Sequence, residues 1–242
     1  VVNGPLWCYF FAMRHIEQSQ STISHRMICT QLDNDAIVFG AEEYLREALA
    51  PYAAEPPPLL AIISSCAAGL IGDDIEAIAR GAGLSCPIAV LDSSGLAGSF
   101  ADGWDKAACA VLSAFLPEQH AGQANAVNLI GVTSAYYNGE NDADELMRLL
   151  ALAGYRVNAA LGCDMSAADL SGLTQAALNI VVHDELGGGA ARLLAEICGM
   201  PCIAPLPPYG RAGTRAWLAE IGRVLPAPRA DAAEEEITRV TR

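Results

Sequence analysis

Lysine is almost absent. Thirteen of the fourteen basic residues are Arg, and Lys106 is the single Lys. A P-loop needs Gly-x-x-x-x-Gly-Lys-Ser/Thr, so that backbone N–H groups and the lysine together hold phosphates. The nearest spacing, Gly98 to Gly103, runs on into Trp104 and Asp105, which excludes a phosphate site of that kind. Positive charge as a whole is scarce. Asp and Glu number 28, the formal net charge is −14, and a surface of that sign repels a nucleic-acid backbone. Long apolar runs are missing: no stretch approaches the roughly 20 residues a membrane helix needs. No basic segment followed by an apolar run opens the chain, so it shows no secretory signal. Gly-x-Ser-x-Gly is absent, which argues against a nucleophile-elbow hydrolase. Gly-x-Gly-x-x-Gly is absent, which argues against dinucleotide binding. Cysteine is plentiful, but Cys-x-x-Cys does not occur, and the eight Cys are irregularly spaced. A chain this long and apolar has no need of disulfide staples. The cysteines therefore read as reduced thiols in a cytoplasmic protein, most of them small buried hydrophobes. The first residues are Val1-Val2-Asn3-Gly4-Pro5, without Met, which reads as a piece of something longer.

Apolar residues make up 52% and charged ones 17% of the chain, a globular and rather greasy composition. Short apolar runs alternate with amphipathic stretches. The first series has runs at Ala36–Phe39, Leu59–Ile63 and Pro87–Leu91, with helical character over Ala41–Ala50, Ile71–Arg80 and Ala101–Leu116. Glu118–Asn125 is polar and Gly-containing, a linker by composition. The rhythm then restarts with runs at Ala126–Val132, Arg156–Ala160, Leu178–Val182 and Cys202–Ala204. Helical stretches at Asp142–Ala153, Ser166–Leu170, Gly189–Cys198 and Thr214–Val224 lie between and after them. Apolar runs that do not alternate, separated by helices, imply parallel sheets buried on both faces. The expected fold is α/β, with two consecutive Rossmann-like domains over 1–120 and 121–226. Residues 227–242 are expected to form an acidic tail, as an exposed helix or frayed end.

Ligands of open parallel sheets collect at the carboxyl ends of the strands. Four constellations lie there. In Ser64-Ser65-Cys66-Ala67-Ala68-Gly69, a Cys leaves the end of a buried strand, and Asp73 and Asp74 follow. The two Asp read either as helix caps or as functional groups. In Asn3-Gly4-Pro5-Leu6-Trp7-Cys8, a Cys follows a Gly-Pro turn. Iron–sulfur clusters need several thiolates from separate loops; two such Cys fit that need but are too few alone. In Ser94-Gly95-Leu96-Ala97-Gly98-Ser99, small residues allow close backbone approach to a ligand, or form an ordinary turn with a helix cap. In His183-Asp184-Glu185-Leu186-Gly187-Gly188-Gly189, a His beside carboxylates can serve as a proton donor near neutral pH. The Gly run before a helix can seat an anion. A structural His is the plainer alternative.

Taken in order, these segments resemble nitrogenase component 1 and its relatives: the catalytic subunits, the cofactor-assembly scaffolds and the dark-operative tetrapyrrole reductases. The strongest signature is Asp35-Ala36-Ile37-Val38-Phe39-Gly40-Ala41-Glu42 leading into Ser65-Cys66-Ala67-Ala68-Gly69-Leu70-Ile71-Gly72-Asp73-Asp74. Others are Gly4-Pro5-Leu6-Trp7-Cys8, then Asn128-Leu129-Ile130-Gly131 with Asp144-Glu145-Leu146-Met147-Arg148-Leu149-Leu150. The last is Ala177-Leu178-Asn179-Ile180-Val181-Val182 with Gly199-Met200-Pro201.

The resemblance implies that Cys8 and Cys66 bind a 4Fe-4S or related cluster shared across an interface with a like or related subunit. Gly69, Gly98 and Ser99 are implied to lie around it. A separate ATP-dependent iron–sulfur reductase is implied as electron donor, which fits the missing P-loop. Where the catalytic nitrogenases carry a cofactor-binding Cys, this sequence places His183, making it the candidate ligand or proton donor. The family's third Rossmann-like domain is expected to be absent. A second metallocofactor or a tetrapyrrole substrate, a cluster-assembly scaffold, and a small-ligand module without clusters all stay open at this point. No nucleic acid or membrane is expected as a partner.

Overall fold

The computed structural model describes residues 1–17, 23–92, 95, 98–116, 122–163 and 165–239. The chain divides into two compact units, Val1–Phe115 and Leu116–Arg242.

The first unit opens with β1 (Val2–Asn3) and α1 (Leu6–Ile16). Then come α2 (Asn34–Phe39), α3 (Glu42–Ala54) and β2 (Leu60–Ser64). The helices α4 (Cys66–Ile71) and α5 (Ile75–Gly81), β3 (Ile88–Asp92) and α6 (Phe100–Phe115) complete it. The sheet is parallel in the order β1-β2-β3. Val2 pairs with Ile63, and Leu60 to Ser64 pair with Ile88 to Asp92.

Two expectations fail here. The run Ala36–Phe39 is not a strand: the Asp33 carboxylate accepts from Ala36 N at 2.9 Å and starts a helix. Only Ala36 of that run enters the core, while Ile37, Val38 and Phe39 stay exposed. The edge strand is instead Val2–Asn3, too short to show as a run. The stretch Ile71–Arg80 is not one helix either. Gly72, at φ 80°, ends α4 in the left-handed conformation that glycine adopts without strain, and Asp74 caps α5 through Ala77 N at 2.9 Å.

The core of this unit gathers Leu45 and Leu49 of α3, Leu60 and Ile62 of β2, and Ile78 of α5. Each fully buried aliphatic side chain contributes about 1.5–3 kcal/mol.

The second unit comprises β4 (Gln123–Ile130), α7 (Gly139–Leu152), β5 (Arg156–Ala160), α8 (Ala167–Gly172) and β6 (Ala176–Val181). It continues with α9 (Asp184–Cys198), β7 (Cys202–Ile203), α10 (Gly210–Val224) and α11 (Ala230–Arg239). Its parallel sheet runs β5-β4-β6-β7. The strand order therefore reverses between β4 and β6, the crevice where such sheets hold ligands.

Successive residues of β4, from Ala126 to Ile130, are all fully buried, as expected for a strand covered on both faces. Trp217 of α10 and Leu149 and Leu150 of α7 share that core. A row of amides crosses the sheet within it. Asn158 Nδ2 donates to Asn128 Oδ1 at 2.9 Å, and Asn128 Nδ2 donates to Asn179 Oδ1 at 2.8 Å and to Leu173 O at 2.9 Å. The acidic end of the chain is a docked helix over its described part. Ala233 and Ile237 of α11 are buried, Arg229 N donates to Ala153 O at 2.9 Å, and Arg148 and Arg215 pair with Glu236 and Glu234.

Candidate functional site

In the first unit the register of β1 on β2 brings two turns side by side. Asn3 pairs with Ser64, and Ser65 N donates to Asn3 O at 2.9 Å. The Gly-Pro turn after β1 thereby lies against the Ser-Cys turn after β2. Gly4 is required there, because a Cβ at that position would collide with the Ser65 side chain. Ser65 caps α4, its Oγ accepting from Ala68 N at 3.3 Å. That leaves Cys66 as the first helical residue with an exposed thiol, while Cys8, in the first turn of α1, is exposed as well. Gly95 N donates to Cys66 Sγ at 3.1 Å.

The two Asp of the signature are structural. Asp74 caps α5, and Asp73 Oδ2 accepts from Ala41 N at 2.7 Å, tying the Phe39–Gly40–Ala41 turn to the end of α4. Gly69 is exposed inside α4, with its N–H given to Ser65 O at 2.9 Å. Gly98 has φ 153° and lies against Asp102. Ser99 and Asp102 bond reciprocally at the start of α6, with Ser99 N donating to Asp102 Oδ2 at 2.7 Å and Asp102 N donating to Ser99 Oγ at 3.3 Å. That is a capping box. Ser94, Leu96 and Ala97 of the same loop lie outside the described residues. Beside it is a cavity of about 400 Å³ lined by Leu91, Gly95, Gly98, Phe100, Trp104 and Lys106, with Phe100 and Trp104 stacked at 5.9 Å.

Periodicity alone does not find the apolar skin around these thiols. Leu6, Trp7, Phe10 and Phe11 of α1 are exposed, Trp7 by 71%. Their rings touch edge-on, Trp7 to Phe10 at 5.9 Å and Phe10 to Phe11 at 5.6 Å. Val38 and Phe39 of α2 and Leu70 of α4 are exposed too, Phe39 by 84%. Scattered apolar residues at a surface are ordinary, but grouped ones mark contact surfaces. The available signal was composition: four large apolar residues within six positions leave a short helix no single polar face.

In the second unit His183 stands at the N-cap position of α9, where its side chain makes no capping bond. It is 35% exposed, with Nδ1 4.0 Å from Glu185 Oε1. The Gly run is not a loop before the helix. It is the second turn of α9, with Gly187 and Gly188 buried. A Cβ at Gly187 would come 2.6 Å from Gly131 N, so the run exists for close helix-to-strand packing. Asp184 and Glu185 fill the first turn and oppose an anion there. The expected anion seat is thus corrected to a packing contact.

Among the described residues, no three His, Cys, Asp or Glu side chains converge on one metal ion, and no helix is long and apolar enough to cross a membrane.

One subunit of the light-independent protochlorophyllide reductase of Methylobacterium sp. (strain 4-46) is 30% identical over 194 residues, covering 78% of this chain and 38% of that protein. Its counterpart in Prosthecochloris aestuarii is 28% identical over 174 residues, covering 68% and 31%. The chain thus spans about a third of the length of these curated relatives. A structure of nitrogenase Cp1 at pH 5 superposes with a TM-score of 0.80 at 23% identity, over 99% of this chain and 51% of that one. That likeness establishes the α/β fold with its two parallel sheets. The model of the nitrogenase component 1 type oxidoreductases matches residues 1–242, and the chain belongs to that family.

Proposed function

We propose that this chain is part of a nitrogenase-like reductase in which Cys8 and Cys66 help hold an iron–sulfur cluster at the contact with a related subunit. The observation that carries the reading is the pairing of their two turns. Gly4 packs on Ser65, and the cysteines that follow the two turns, Cys8 and Cys66, are both exposed. The donor set suits iron, which prefers soft thiolate ligands. The Gly95 N–H at Cys66 Sγ is of the kind that sets cluster potential. When bound, the cluster supplies one-electron storage. The chain's own parts hold and shield it: Ser65 fixes the direction of Cys66, Pro5 starts the helix that carries Cys8, and the exposed rings of α1 exclude water once a partner covers them.

Electrons are proposed to come from a separate ATP-dependent iron–sulfur reductase, in keeping with the P-loop missing from this sequence. His183, half-buried beyond the most apolar strand, is the proposed proton donor or ligand on the substrate side. The curated relatives are named for reduction of protochlorophyllide, so a conjugated ring is the substrate class to test first.

Anaerobic reconstitution with ferrous iron and sulfide tests the cluster assignment. The parent is expected to turn brown and to hold stoichiometric iron and sulfide, while Cys8→Ala and Cys66→Ala each lose most of both. Variants that keep the parent's iron would sink the assignment.

A further inference from the structure

We propose that Cys29 supplies a third thiolate to the same cluster, an inference that rests on the assignment of Cys8 and Cys66. The segment around Cys29 runs along the free side of β1 as a parallel neighbour. Val2 N donates to Ile28 O at 2.8 Å, Thr30 N to Val2 O at 3.1 Å, and Leu32 N to Gly4 O at 3.1 Å. Cys29 is bridged to Val2. The Gly-Pro turn is consequently flanked on one side by Ser65-Cys66 and on the other by Cys29. Cys29 Sγ lies 3.3 Å from Gly4 O, the carbonyl that precedes Pro5 in the turn leading to Cys8.

Two further features belong to a sulfur-binding corner more than to an ordinary connection. Gln31 has φ 56°, in the left-handed region, which costs a non-glycine residue about 1–2 kcal/mol. Such strain persists where a local arrangement demands it. That conformation brings Gln31 N to 3.4 Å from Cys29 Sγ, a backbone N–H on a thiol, as Gly95 N is on Cys66. Next, Asn3 Nδ2 is buried without a hydrogen-bond partner, although Asn3 Oδ1 accepts from Thr30 Oγ1 at 3.1 Å. An orphaned donor of this kind is rare in a finished core. The lack of a three-ligand point for a single ion is no obstacle, because a cluster presents separate irons to separate thiolates.

Ligation breaks the Cys29 S–H bond and forms a sulfur–iron bond. The proton leaves to solvent, the sulfur donates an electron pair, and no redox change is needed. The S–H bond to Gly4 O is given up in the process, which leaves that carbonyl to Leu32 N and Thr30 Oγ1.

The test is anaerobic reconstitution of the full chain as parent, Cys29→Ala, Cys29→Ser and Cys86→Ala, read by iron and sulfide per chain and by electron paramagnetic resonance of the reduced protein. Both Cys29 variants are expected to hold less than half of the parent's iron and to change its signal, and Cys86→Ala to match the parent. The serine hydroxyl keeps the bond to Gly4 O, so iron loss with an unchanged melting curve belongs to the missing sulfur. Parent-level iron with an unaltered signal in either Cys29 variant overturns the proposal. Should both variants misfold, the parent alone decides by alkylation. Cys29 is expected to resist iodoacetamide after reconstitution and to react once a chelator strips the iron; equal rates before and after overturn the proposal. If Cys8→Ala and Cys66→Ala lose iron and the Cys29 variants do not, only the third ligand falls. A parent that binds no iron overturns both readings.

Discussion

After β2 the chain turns at Ser65 into α4, and after β6 it turns at His183 into α9. In the first turn a serine hydroxyl caps the helix, no acidic residue follows in the first turn, and the Cys66 side chain is left exposed. In the second, no side chain caps, two acidic residues occupy the first turn, and the helix is driven onto the neighbouring strand end until Gly187 meets Gly131. On one side of the switch-point crevice of the second sheet, where a ligand is expected, backbone is thus packed on backbone, with His183 part-exposed beside it. The edge of the first sheet, which has no switch point, is open and lined with thiols. What separates the two turns is which group satisfies the helix start: a small capping side chain leaves the rim free, and backbone packing seals it.

The largest expected effect tests that seal. Gly131 has φ 78°, and a Cβ there would collide with His183 O. Gly131→Ala combines a left-handed alanine with overpacking and should cost about 3–5 kcal/mol. Gly4→Ala in the first unit meets Ser65 Oγ, which can rotate away at the loss of its cap, and Ser65 Cβ, which only a small backbone shift can clear, for about 1–3 kcal/mol. Urea denaturation measures both. Equal losses would mean that the two turns are packed alike.

The buried amides sharpen the same contrast at smaller size. Asn128→Ala removes the centre of the row across the second sheet, leaving Asn158, Asn179 and Leu173 O short of partners. An unsatisfied buried polar group costs about 1–3 kcal/mol, and a loss of about 2–3 kcal/mol is expected in the same urea experiment. Asn3→Ala in the first unit gives up one hydrogen bond and removes an already orphaned Nδ2, so its cost should stay below about 1 kcal/mol. A larger loss at Asn3 than at Asn128 would reverse the picture of a saturated second core and an unfinished corner beside Cys29.

Much of this was legible in the residues, and the misreadings share a cause. Strands buried on both faces, such as Leu178 to Val181, announce themselves as apolar runs, and the parallel α/β arrangement follows from their alternation with helices. The cysteines at Gly4-Pro5 and Ser65 stood out because turns at strand ends are where side chains become accessible. Contacts between distant segments were not legible. Val2–Asn3 is a strand only because Ile63 and Ser64 pair with it. Ala36–Phe39 resembles a strand until Asp33 caps it as a helix. The Gly run at 187–189 looks like a loop until Gly131 is seen against it. Cys29 had no turn signature at all; its nearness to Gly4 comes from pairing beside β1. The acidic composition of the last segment hid the small apolar face, Ala233 and Ile237, by which α11 docks.

The smallest expected effect concerns how each unit uses its carboxylates. In the second, Arg148 holds Glu145 below the usual carboxylate range, Arg215 does so for Glu234, and Arg239 with Arg148 for Glu236. In the first, the lowering comes from caps: the Ala36 N–H and then Tyr44 act on Asp33, and Ser99 acts on Asp102. All five are depressed in the folded state. Their stabilisation is therefore fully present above the ordinary values, near about 4, and is lost as pH falls through the lowered ones. Acid alone does not tell the units apart, but salt does. About 1 M salt shortens the screening length to about 3 Å, which weakens exposed ion pairs and leaves short capping bonds largely intact. Amide hydrogen exchange at neutral pH should show α11 opening more readily in high salt while the first turns of α2 and α6 keep their protection. Equal loosening at both places would mean that α11 is held by Ala233 and Ile237 alone, with its ion pairs contributing nothing.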